Sequence, residues 1–298
     1  MCLMPLPMTP TPITLLTDFG SRDAYVGAMK GVLASLATGH PTVDLTHEIA
    51  PQDVMEGAFV LREAYAFYPL GTVHLAVVDP GVGTERRAIA MHANGHTFVG
   101  PDNGLFALVL GDDLPDEVVV LDRPEVWRVP NPSATFHGRD VFAPVAARLA
   151  RGATLADVGT PIDAMKVLRW PLPLLDRDGV RGRVVHLDRF GNAVTNIAVD
   201  ELMRRRNGRK MACVAGGEIL RGLRRTYSDV APGEPLLLAG AGGMVEVAVR
   251  NGNAADLLGL ERGSSVSFQF ADHEEDLPGF RRLSRSGGHG FPGMDATA

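Results

Sequence analysis

The first part of the chain alternates between short apolar runs and segments in which apolar residues recur at helical spacing. Residues 13–16 and 72–78 are mainly apolar runs of the length of buried strands, and residues 42–46 alternate as a strand does. Between these runs, residues 25–36 and 54–65 place apolar side chains three and four positions apart, which predicts two amphipathic helices. The order strand, helix, strand, helix, strand predicts a parallel sheet covered by helices.

The next segment predicts additions to this sheet. Residues 88–92 and 97–99 read as two strands, and Asn94-Gly95 between them is a favoured hairpin turn. Residues 141–149 return to helical spacing. In sheets of this kind ligands bind beyond the carboxyl ends of the parallel strands. Asp18 and Asp79 both fall at that edge.

The pattern changes near residue 170, where prolines and a glycine predict a linker over residues 170–179. Beyond it, short apolar strands separated by glycines predict a smaller β-barrel; these strands cover residues 183–187, 211–214, 235–239, 244–249 and 265–270. We therefore predict an α/β protein, with a parallel-sheet N-terminal α/β domain followed by a smaller C-terminal β-barrel domain. The predicted boundaries are a flexible segment 1–12, the α/β domain 13–169, the linker 170–179, the barrel 180–271 and a disordered tail 272–298.

Composition narrows the class of protein. A length of 298 residues with 45% hydrophobic and 21% charged residues fits about two globular domains. A net charge of −6 without a dominant basic run argues against nucleic acid as a partner. Cys2 and Cys213 alone cannot form a disulfide framework or a cysteine zinc site, which favours the cytoplasm. No apolar stretch reaches the roughly 18 residues that a membrane span needs, and the proline-rich start does not resemble a signal peptide.

Two carboxylates at strand ends are candidates for chemistry. Asp18, in the motif TDFG, suits hydrogen bonding to a ribose diol, although an aspartate here can also cap the following helix. Protein kinases also contain the sequence Asp-Phe-Gly, but a kinase is excluded here because no glycine-rich loop or catalytic loop precedes this motif. Asp79 begins the motif DPGVGTERR, whose glycines permit a sharp turn that returns Arg86 toward Asp79. Such a pair is equally compatible with a structural ion pair, and a dinucleotide fingerprint would need a glycine where Arg86 stands.

Two histidines and one polar turn complete the candidates. His137, in the motif FHGRD before the third predicted helix, suits a general base near neutral pH, and His47 at a strand end is a second candidate. Neither histidine has metal-pair spacing, so no metal site is predicted. The motif DRFGN at residues 188–192 offers a carboxylate, an aromatic face and an amide, but is also typical of a simple turn.

Taken in order, these motifs resemble one family. TDFG, DPGVGTERR, PDNG at residues 101–104, FHGRD and DRFGN together are similar to the S-adenosylmethionine (SAM) hydroxide adenosyltransferases, hydrolases related to fluorinase and chlorinase. The resemblance covers about residues 13–270. It implies an α/β domain, a C-terminal β-barrel and a homotrimer with active sites at the subunit interfaces. The implied reaction converts the small-molecule substrate SAM into adenosine and L-methionine by attack of water or hydroxide at ribose C5′, without a cofactor.

The resemblance also assigns residues. Asp79, Arg86 and His137 match the family's catalytic triad, with Asp79 and His137 activating water and Arg86 orienting Asp79. The substrate-binding positions implied in the same way are Asp18, Asn103, Asp188, Phe190, Asn192, Glu246 and Val249. Ala241 stands where the family often has serine, and Arg250 replaces a commonly polar residue, so the adenine pocket can differ in detail.

Two other functions stay open at this stage. A SAM-dependent halogenase would use a halide in place of water, and a halide needs no deprotonation. An intact Asp79, Arg86 and His137 set favours hydrolysis over that alternative. A non-catalytic SAM or adenosine binder would bind the same ligand without turnover.

Overall fold

The computed structural model describes residues 10–278, and the chain divides between Trp170 and Pro171 into two compact units. We call them the N-terminal unit and the C-terminal unit. Residues 1–9 of the predicted flexible segment and residues 279–298 of the predicted tail lie outside the described residues. Residues 272–278, also assigned to that tail, form a short turn at Glu274–Asp276 followed by the buried Leu277.

The N-terminal unit contains a seven-stranded sheet with the order β2-β1-β3-β5-β4-β6-β7. Its strands are β1 (Ile13–Thr17), β2 (Thr42–Thr46), β3 (Val73–Val77), β4 (Ala88–Ala93), β5 (His96–Pro101), β6 (Glu117–Val120) and β7 (Thr160–Pro161). Strands β2, β1, β3 and β5 are parallel, which confirms the predicted parallel sheet. Strand β4 is antiparallel to β5 and β6. Asn94 and Gly95 have φ values of 52° and 76°, as the tight hairpin turn between β4 and β5 requires.

Helices cover both faces of this sheet. They are α1 (Tyr25–Leu36), α2 (Val54–Tyr65), α3 (Ala107–Leu110), α4 (Ala143–Ala150) and α5 (Leu155–Val158). Leu15 and Leu75 point into a core shared with α1 and α4, whereas Leu16 and Ala76 point into a core shared with α2 and α3. Because both faces of β1 and β3 are buried, these strands are mainly apolar rather than alternating, and their polar side chains, such as Thr14 and His74, are hydrogen-bonded to each other.

The helix predicted over residues 141–149 begins differently in the structure. A π-helical turn at Gly138–Phe142 precedes α4. Pro144 has no N–H to donate to the carbonyl four residues earlier, that of Asp140. The Asp140 carbonyl instead accepts from the backbone N–H of Arg128, at 2.9 Å. Pro144 is therefore consistent with a wide, π-helical turn before α4. Its missing N–H leaves the carbonyl of Asp140 to accept from the backbone N–H of Arg128.

The C-terminal unit is a nine-stranded, nearly closed, barrel-like sheet with the order β12-β11-β16-β9-β10-β15-β14-β13, and β8 pairs with β9. Its strands are β8 (Leu174–Leu175), β9 (Gly179–Leu187), β10 (Ala193–Ala198), β11 (Lys210–Ala215), β12 (Glu218–Arg221), β13 (Leu223–Arg224), β14 (Pro235–Ala239), β15 (Met244–Val249) and β16 (Ser265–Ala271). Two helices, α6 (Val199–Arg206) and α7 (Ala254–Leu258), complete it. The segment predicted as a linker contains β8 and the first residue of β9.

A buried pair of histidines lies inside the N-terminal unit. His74 on β3 is fully buried, and its Nδ1 is 2.7 Å from Thr14 Oγ1 on β1. Its Nε2 is 3.2 Å from Nδ1 of the buried His96 on β5, and the ring of Phe98 stacks on it at 5.0 Å. Burial, and secondarily the neighbouring His96, lowers the pKa of His74 to about 3. His74 is therefore neutral in the folded protein at any pH well above 3.

We expect this histidine to make the fold sensitive to mild acid. The unfolded chain binds a proton at His74 below a pKa of about 6.5, and the folded chain does not, so stability falls as pH drops from about 6.5 toward 3. At pH 5 the loss amounts to about 2 kcal/mol of unfolding free energy. Urea unfolding at pH 7.5 and pH 5 measures this. In His74→Phe the difference between the two pH values should shrink by about that amount. His273→Gln, at an exposed histidine, should leave it unchanged.

Candidate active site

Two candidate carboxylates leave the sheet at the same edge. Strands β1 and β3 are parallel neighbours, and Thr17 at the end of β1 pairs with Val77 at the end of β3. Asp18 follows its strand directly, and Asp79 follows one residue later, after the buried Val78. The sequence correctly places both residues beyond the carboxyl ends of parallel strands.

Asp79 and Arg86 form a buried, two-pronged ion pair. Arg86 Nε donates to both carboxylate oxygens at 2.9 and 3.0 Å, and Nη2 donates to Oδ2 at 2.5 Å. Each side chain is only 5% exposed. The loop between them depends on Gly83, which has φ +77°, and a Cβ at this position would lie 2.5 Å from the carbonyl oxygen of Ala134. The loop that carries Arg86 therefore packs directly on the segment before His137.

His137 joins this pair through Arg86. Arg86 Nη2 lies 2.8 Å from His137 Nδ1, and the guanidinium of Arg86 lies over the buried ring of Phe142 at 5.3 Å. Burial and then the positive charge of Arg86 lower the pKa of His137, while the charges of Asp79 and Asp140 oppose this shift. The imidazole is therefore neutral at pH 7. Asp79, Arg86 and His137, predicted as a set from separate motifs, form one connected chain of hydrogen bonds.

The direction of these hydrogen bonds fixes what each group can do. A guanidinium nitrogen only donates, so Nδ1 of His137 must accept, and the proton of the neutral ring is on Nε2. His137 then offers a bound molecule an N–H and no basic nitrogen. Each oxygen of the Asp79 carboxylate can accept more than one hydrogen bond. The group able to take up a proton is thus Asp79, whereas the sequence analysis assigned this role to both residues.

Asp18 and His47 lie in one network at the end of β1. Asp18 Oδ2 accepts from the backbone N–H of Gln52, at 2.8 Å, which leaves Oδ1 for a ligand. His47 is buried, with Nδ1 2.8 Å from Thr17 Oγ1 and Nε2 3.0 Å from Asp44 Oδ1. The backbone oxygen of His47 also accepts from Gly20 N at 2.7 Å. His47, the alternative catalytic histidine, is held inside this network and supports the turn that carries Asp18.

Asn103 is engaged with the backbone. Its Nδ2 donates to the carbonyl oxygen of Val78 at 2.8 Å, and its Oδ1 accepts from Leu105 N at 3.2 Å. Because Val78 immediately precedes Asp79, the amide fixes the chain where the ion pair begins. One N–H of the Asn103 amide remains for a ligand.

In the C-terminal unit the DRFGN motif is a tight turn. Asp188 Oδ1 accepts from Phe190 N and Asn192 N at 2.9 and 2.8 Å, and Oδ2 accepts from Asn192 Nδ2 at 2.8 Å. A Cβ at Gly191 would overlap the side chain of Asn253. The turn displays Phe190 with 76% of its surface exposed. The hydrogen bonds of Asp188 thus build the turn, and the turn exposes the ring of Phe190 to solvent.

This turn borders a cavity of about 460 Å³. Its lining includes Phe190, Asn192, Val249 and Tyr227. Tyr227, which the sequence analysis missed, has its hydroxyl 3.2 Å from Asn192 Nδ2. Burial and the charges of Glu246 and Asp188 raise the pKa of Tyr227. No motif marks this tyrosine, which begins a single 3-10 turn, Tyr227–Asp229, between β13 and β14.

Three other residues named from the sequence lie on β15 or close to its ends. Glu246 is half-buried on β15, and a Cβ at Gly240 would overlap its carboxylate, so the glycine makes room for that side chain. Arg250 is directed to the carbonyl oxygen of Val230, to which Nη1 donates at 2.7 Å. Ala241 lies in the turn between β14 and β15.

Family models match both units. The N-terminal domain of the SAM hydroxide adenosyltransferases matches residues 13–159, and the C-terminal domain of the same family matches residues 182–267. The chain belongs to this family. The connected triad and the exposed Phe190 turn therefore lie in one SAM hydroxide adenosyltransferase chain, each within its own unit.

Individual relatives agree with this assignment. A protein of Salinispora tropica named (R)-S-adenosyl-L-methionine hydrolase is 44% identical over 87% of this chain and 98% of its own length. A fluorinase of Actinoplanes sp. is 29% identical over 62% of this chain and 71% of its own. The crystal structure of an uncharacterized conserved protein from Thermotoga maritima has a TM-score of 0.81 at 35% identity, over 86% of this chain and 99% of that one.

Two further findings concern the described part of this SAM hydroxide adenosyltransferase. Within residues 10–278, no group of three or more His, Cys, Asp or Glu side chains is arranged to hold a metal ion. No helix in the same range combines the length and the apolar character that a membrane crossing demands.

Proposed function

We propose that the protein hydrolyses SAM to adenosine and L-methionine by attack of water at ribose C5′. The observation that carries the proposal is the buried chain of hydrogen bonds from Asp79 through Arg86 to His137. An enzyme that uses water needs a group that takes up the proton of the water, whereas a halide needs no deprotonation. The similarity to proteins named (R)-S-adenosyl-L-methionine hydrolase supports the same reaction.

The proposed reaction balances without an acid or a cofactor. The water oxygen forms the C5′–O bond while the C5′–S bond breaks. The electron pair of the C5′–S bond passes to sulfur. Sulfur then leaves as the neutral thioether of methionine, so the leaving group needs no proton. SAM is the substrate, and the reaction calls for no other small molecule than water.

Asp79, His137 and Arg86 have different roles in activating the water. Neutral water that has attacked carbon becomes a strong acid, so a carboxylate is basic enough to take its proton as the C–O bond forms. Asp79 takes this proton and releases it to solvent, a contribution of about 10²–10⁴-fold in rate. His137 offers its Nε2 N–H to the water oxygen, and Arg86 holds both partners in place.

Substrate binding is assigned to the remaining predicted residues. Asp18 binds the ribose hydroxyls through the oxygen that Gln52 does not occupy, and Asn103 contributes the amide N–H that its two backbone contacts leave for a ligand. In the C-terminal unit, the cavity beside Phe190 and Tyr227 supplies aromatic surface for the ligand. Asn192 and Val249 line this cavity, and we include them in substrate binding together with Asp188 and Glu246, whose charges act on Tyr227.

Incubation of the purified protein with SAM, with and without chloride, tests the reaction directly. Adenosine and methionine in both samples, identified by chromatography and mass, are the expected products. A 5′-halo-adenosine formed with chloride would establish a halogenase instead. Intact SAM that nevertheless binds in calorimetry would mean a non-catalytic binder.

We also propose that the chain forms a homotrimer with active sites at its subunit interfaces. The family resemblance supports this, as does the division of the assigned residues between the two units. Light scattering coupled to size exclusion gives the mass, and three times 31.8 kDa is expected. A mass of one chain in active protein would refute the assembly. Cytoplasmic action is proposed with it, in keeping with Cys213, a buried free thiol.

Asp18→Ala is expected to weaken SAM binding about 10- to 100-fold with a smaller effect on kcat. The hydroxyls that Asp18 holds are present in the ground state, so their loss appears mainly in affinity. Calorimetry with SAM and steady-state kinetics separate the two effects. Asp18→Asn keeps an oxygen for the Gln52 N–H and is the control for loop anchoring. Equal affinity in wild type and Asp18→Ala would remove the ribose assignment.

A further inference from the structure

The carboxylate of Asp140 is not part of the proposed reaction, yet it is one of the most buried charges in the N-terminal unit. Its side chain is 1% exposed. Arg139 donates to it through Nε and Nη2, both at 2.7 Å, and Arg128 Nη1 lies at 3.3 Å. The backbone N–H of Ser133 donates to its Oδ2 at 3.0 Å. Hydrogen bonds from Arg139, together with the nearby positive charges, lower the pKa of Asp140 to about 2, so the group is ionised.

These contacts tie one segment to the turn that carries His137. Arg128 and Ser133 lie on the segment 128–136, and both are bound by Asp140, Arg128 through its side chain and also through its backbone N–H. The π-helical turn Gly138–Phe142, which contains Asp140, begins directly after His137. Arg139 also lies over the ring of Phe136 at 5.0 Å. Asp140 therefore fixes the chain on both sides of His137.

The same segment touches the loop that carries Arg86. The carbonyl oxygen of Ala134, one residue after Ser133, occupies the space where a Cβ of Gly83 would be. Gly83 lies three residues before Arg86 in the short loop that begins at Asp79. Displacing the 128–136 segment would thus move the Arg86 loop and the His137 turn relative to each other. The 2.8 Å hydrogen bond from Arg86 to Nδ1 is the contact that joins them.

We propose that Asp140 is a positioning residue, which holds His137 in register with Arg86 by clamping the 128–136 segment to the π-helical turn. The proposal concerns catalysis only if the proposed hydrolysis holds. Its structural part, the placement of His137, does not depend on the reaction.

Asp140 also acts on His137 through its charge. The groups that face the imidazole are Asp79 and Arg86 from the neighbouring loop, and Asp140 and Phe142 from its own turn. Among these, the negative charge of Asp140 raises the pKa of His137. Removing this charge changes a property of His137 that can be measured without substrate, and the accompanying change in kcat shows whether the placement of His137 matters for the reaction.

The experiment compares wild type, Asp140→Asn and Arg139→Gln in the full-length protein. The His137 imidazole is titrated by NMR, and kcat and KM for SAM are measured on the same samples. In Asp140→Asn we expect the pKa of His137 to move down and kcat to fall roughly 10- to 100-fold, with KM changing little. In Arg139→Gln the countercharge is removed and the carboxylate stays, so the pKa of His137 should move up. Arg139 is about one-third exposed, so this second variant provides a test even if Asp140→Asn does not fold.

Asp102→Asn is the matched control. Asp102 is equally buried and also paired to an arginine, with Arg87 Nε at 2.8 Å, but it makes no contact with the 128–136 segment in the described structure. Its variant should lose stability and leave the His137 titration unchanged. An unchanged titration in both test variants would overturn the proposal, and so would a shifted titration with wild-type kcat. Wild-type protein that does not hydrolyse SAM would refute the proposed function, while the titration would still report whether Asp140 acts on His137.

Discussion

Asp79→Asn is expected to lower kcat for SAM hydrolysis by about 10²–10⁴-fold, the usual contribution of a positioned general base. The amide has nearly the shape of the carboxylate and keeps one oxygen for Arg86, but it cannot take the proton of the attacking water. Since the proton moves only during the reaction, SAM affinity should change little. Single-turnover kinetics and calorimetry with SAM measure the two quantities.

Two further variants serve as controls for the Asp79→Asn prediction. Asp79→Asn leaves the buried Arg86 without its countercharge, which can destabilise the fold, so thermal unfolding accompanies the kinetics. Asp79→Glu retains the charge but displaces the carboxylate, and should lose less activity than the amide. Asp102→Asn, which also breaks a buried aspartate–arginine pair, should retain most of the wild-type kcat. Wild-type turnover in Asp79→Asn would show that the base lies elsewhere.

The fold of the N-terminal unit was predictable because burial on both faces leaves a strong sequence pattern. The bounds of α1 and α2 agree with the predicted 25–36 and 54–65. The C-terminal unit was less predictable. Strand β10 was missed because Thr195 and Asn196 interrupt its apolar character, yet both are buried and hydrogen-bonded, Thr195 to the carbonyl of Val245 and Asn196 to that of Pro171. Burial with a specific partner is a tertiary property that a local pattern does not report.

The candidate site, like the fold, could be predicted only where local sequence determines the structure. The spacing of DPGVGTERR predicted that Arg86 returns to Asp79, because a glycine turn brings such neighbours together. The sequence could not give the tautomer of His137, since this depends on which nitrogen faces Arg86. The FHGRD motif contains Asp140 but does not show what its carboxylate contacts. Its four donors come from Arg128, Ser133 and Arg139, and those of Arg128 and Ser133 reach it because the 128–136 segment folds back on the π-helical turn.

Variants of His137 test whether this residue takes up a proton in the reaction or acts only through its hydrogen bonds. His137→Ala removes the Arg86 contact and the N–H together, and we expect kcat to fall about 10²-fold or more with SAM affinity little changed. In His137→Asn the side-chain oxygen can stand near the position of Nδ1 and accept from Arg86. If His137 acts by holding Arg86, this variant should be roughly tenfold more active than His137→Ala, a difference of about 1.4 kcal/mol in activation free energy.

A base at His137 would give the opposite pattern. An amide cannot take a proton, so His137→Asn would then be as inactive as His137→Ala. The pH profile supplies an independent criterion. Because burial and Arg86 lower the pKa of His137, a role for the neutral ring predicts constant kcat above pH 6.5 and loss only at lower pH, where protonation of Nδ1 displaces Arg86. In His137→Asn that acid limb should disappear while the residual activity remains. An acid limb that persists there would have to belong to another group, and the carboxylate that could supply it is Asp79.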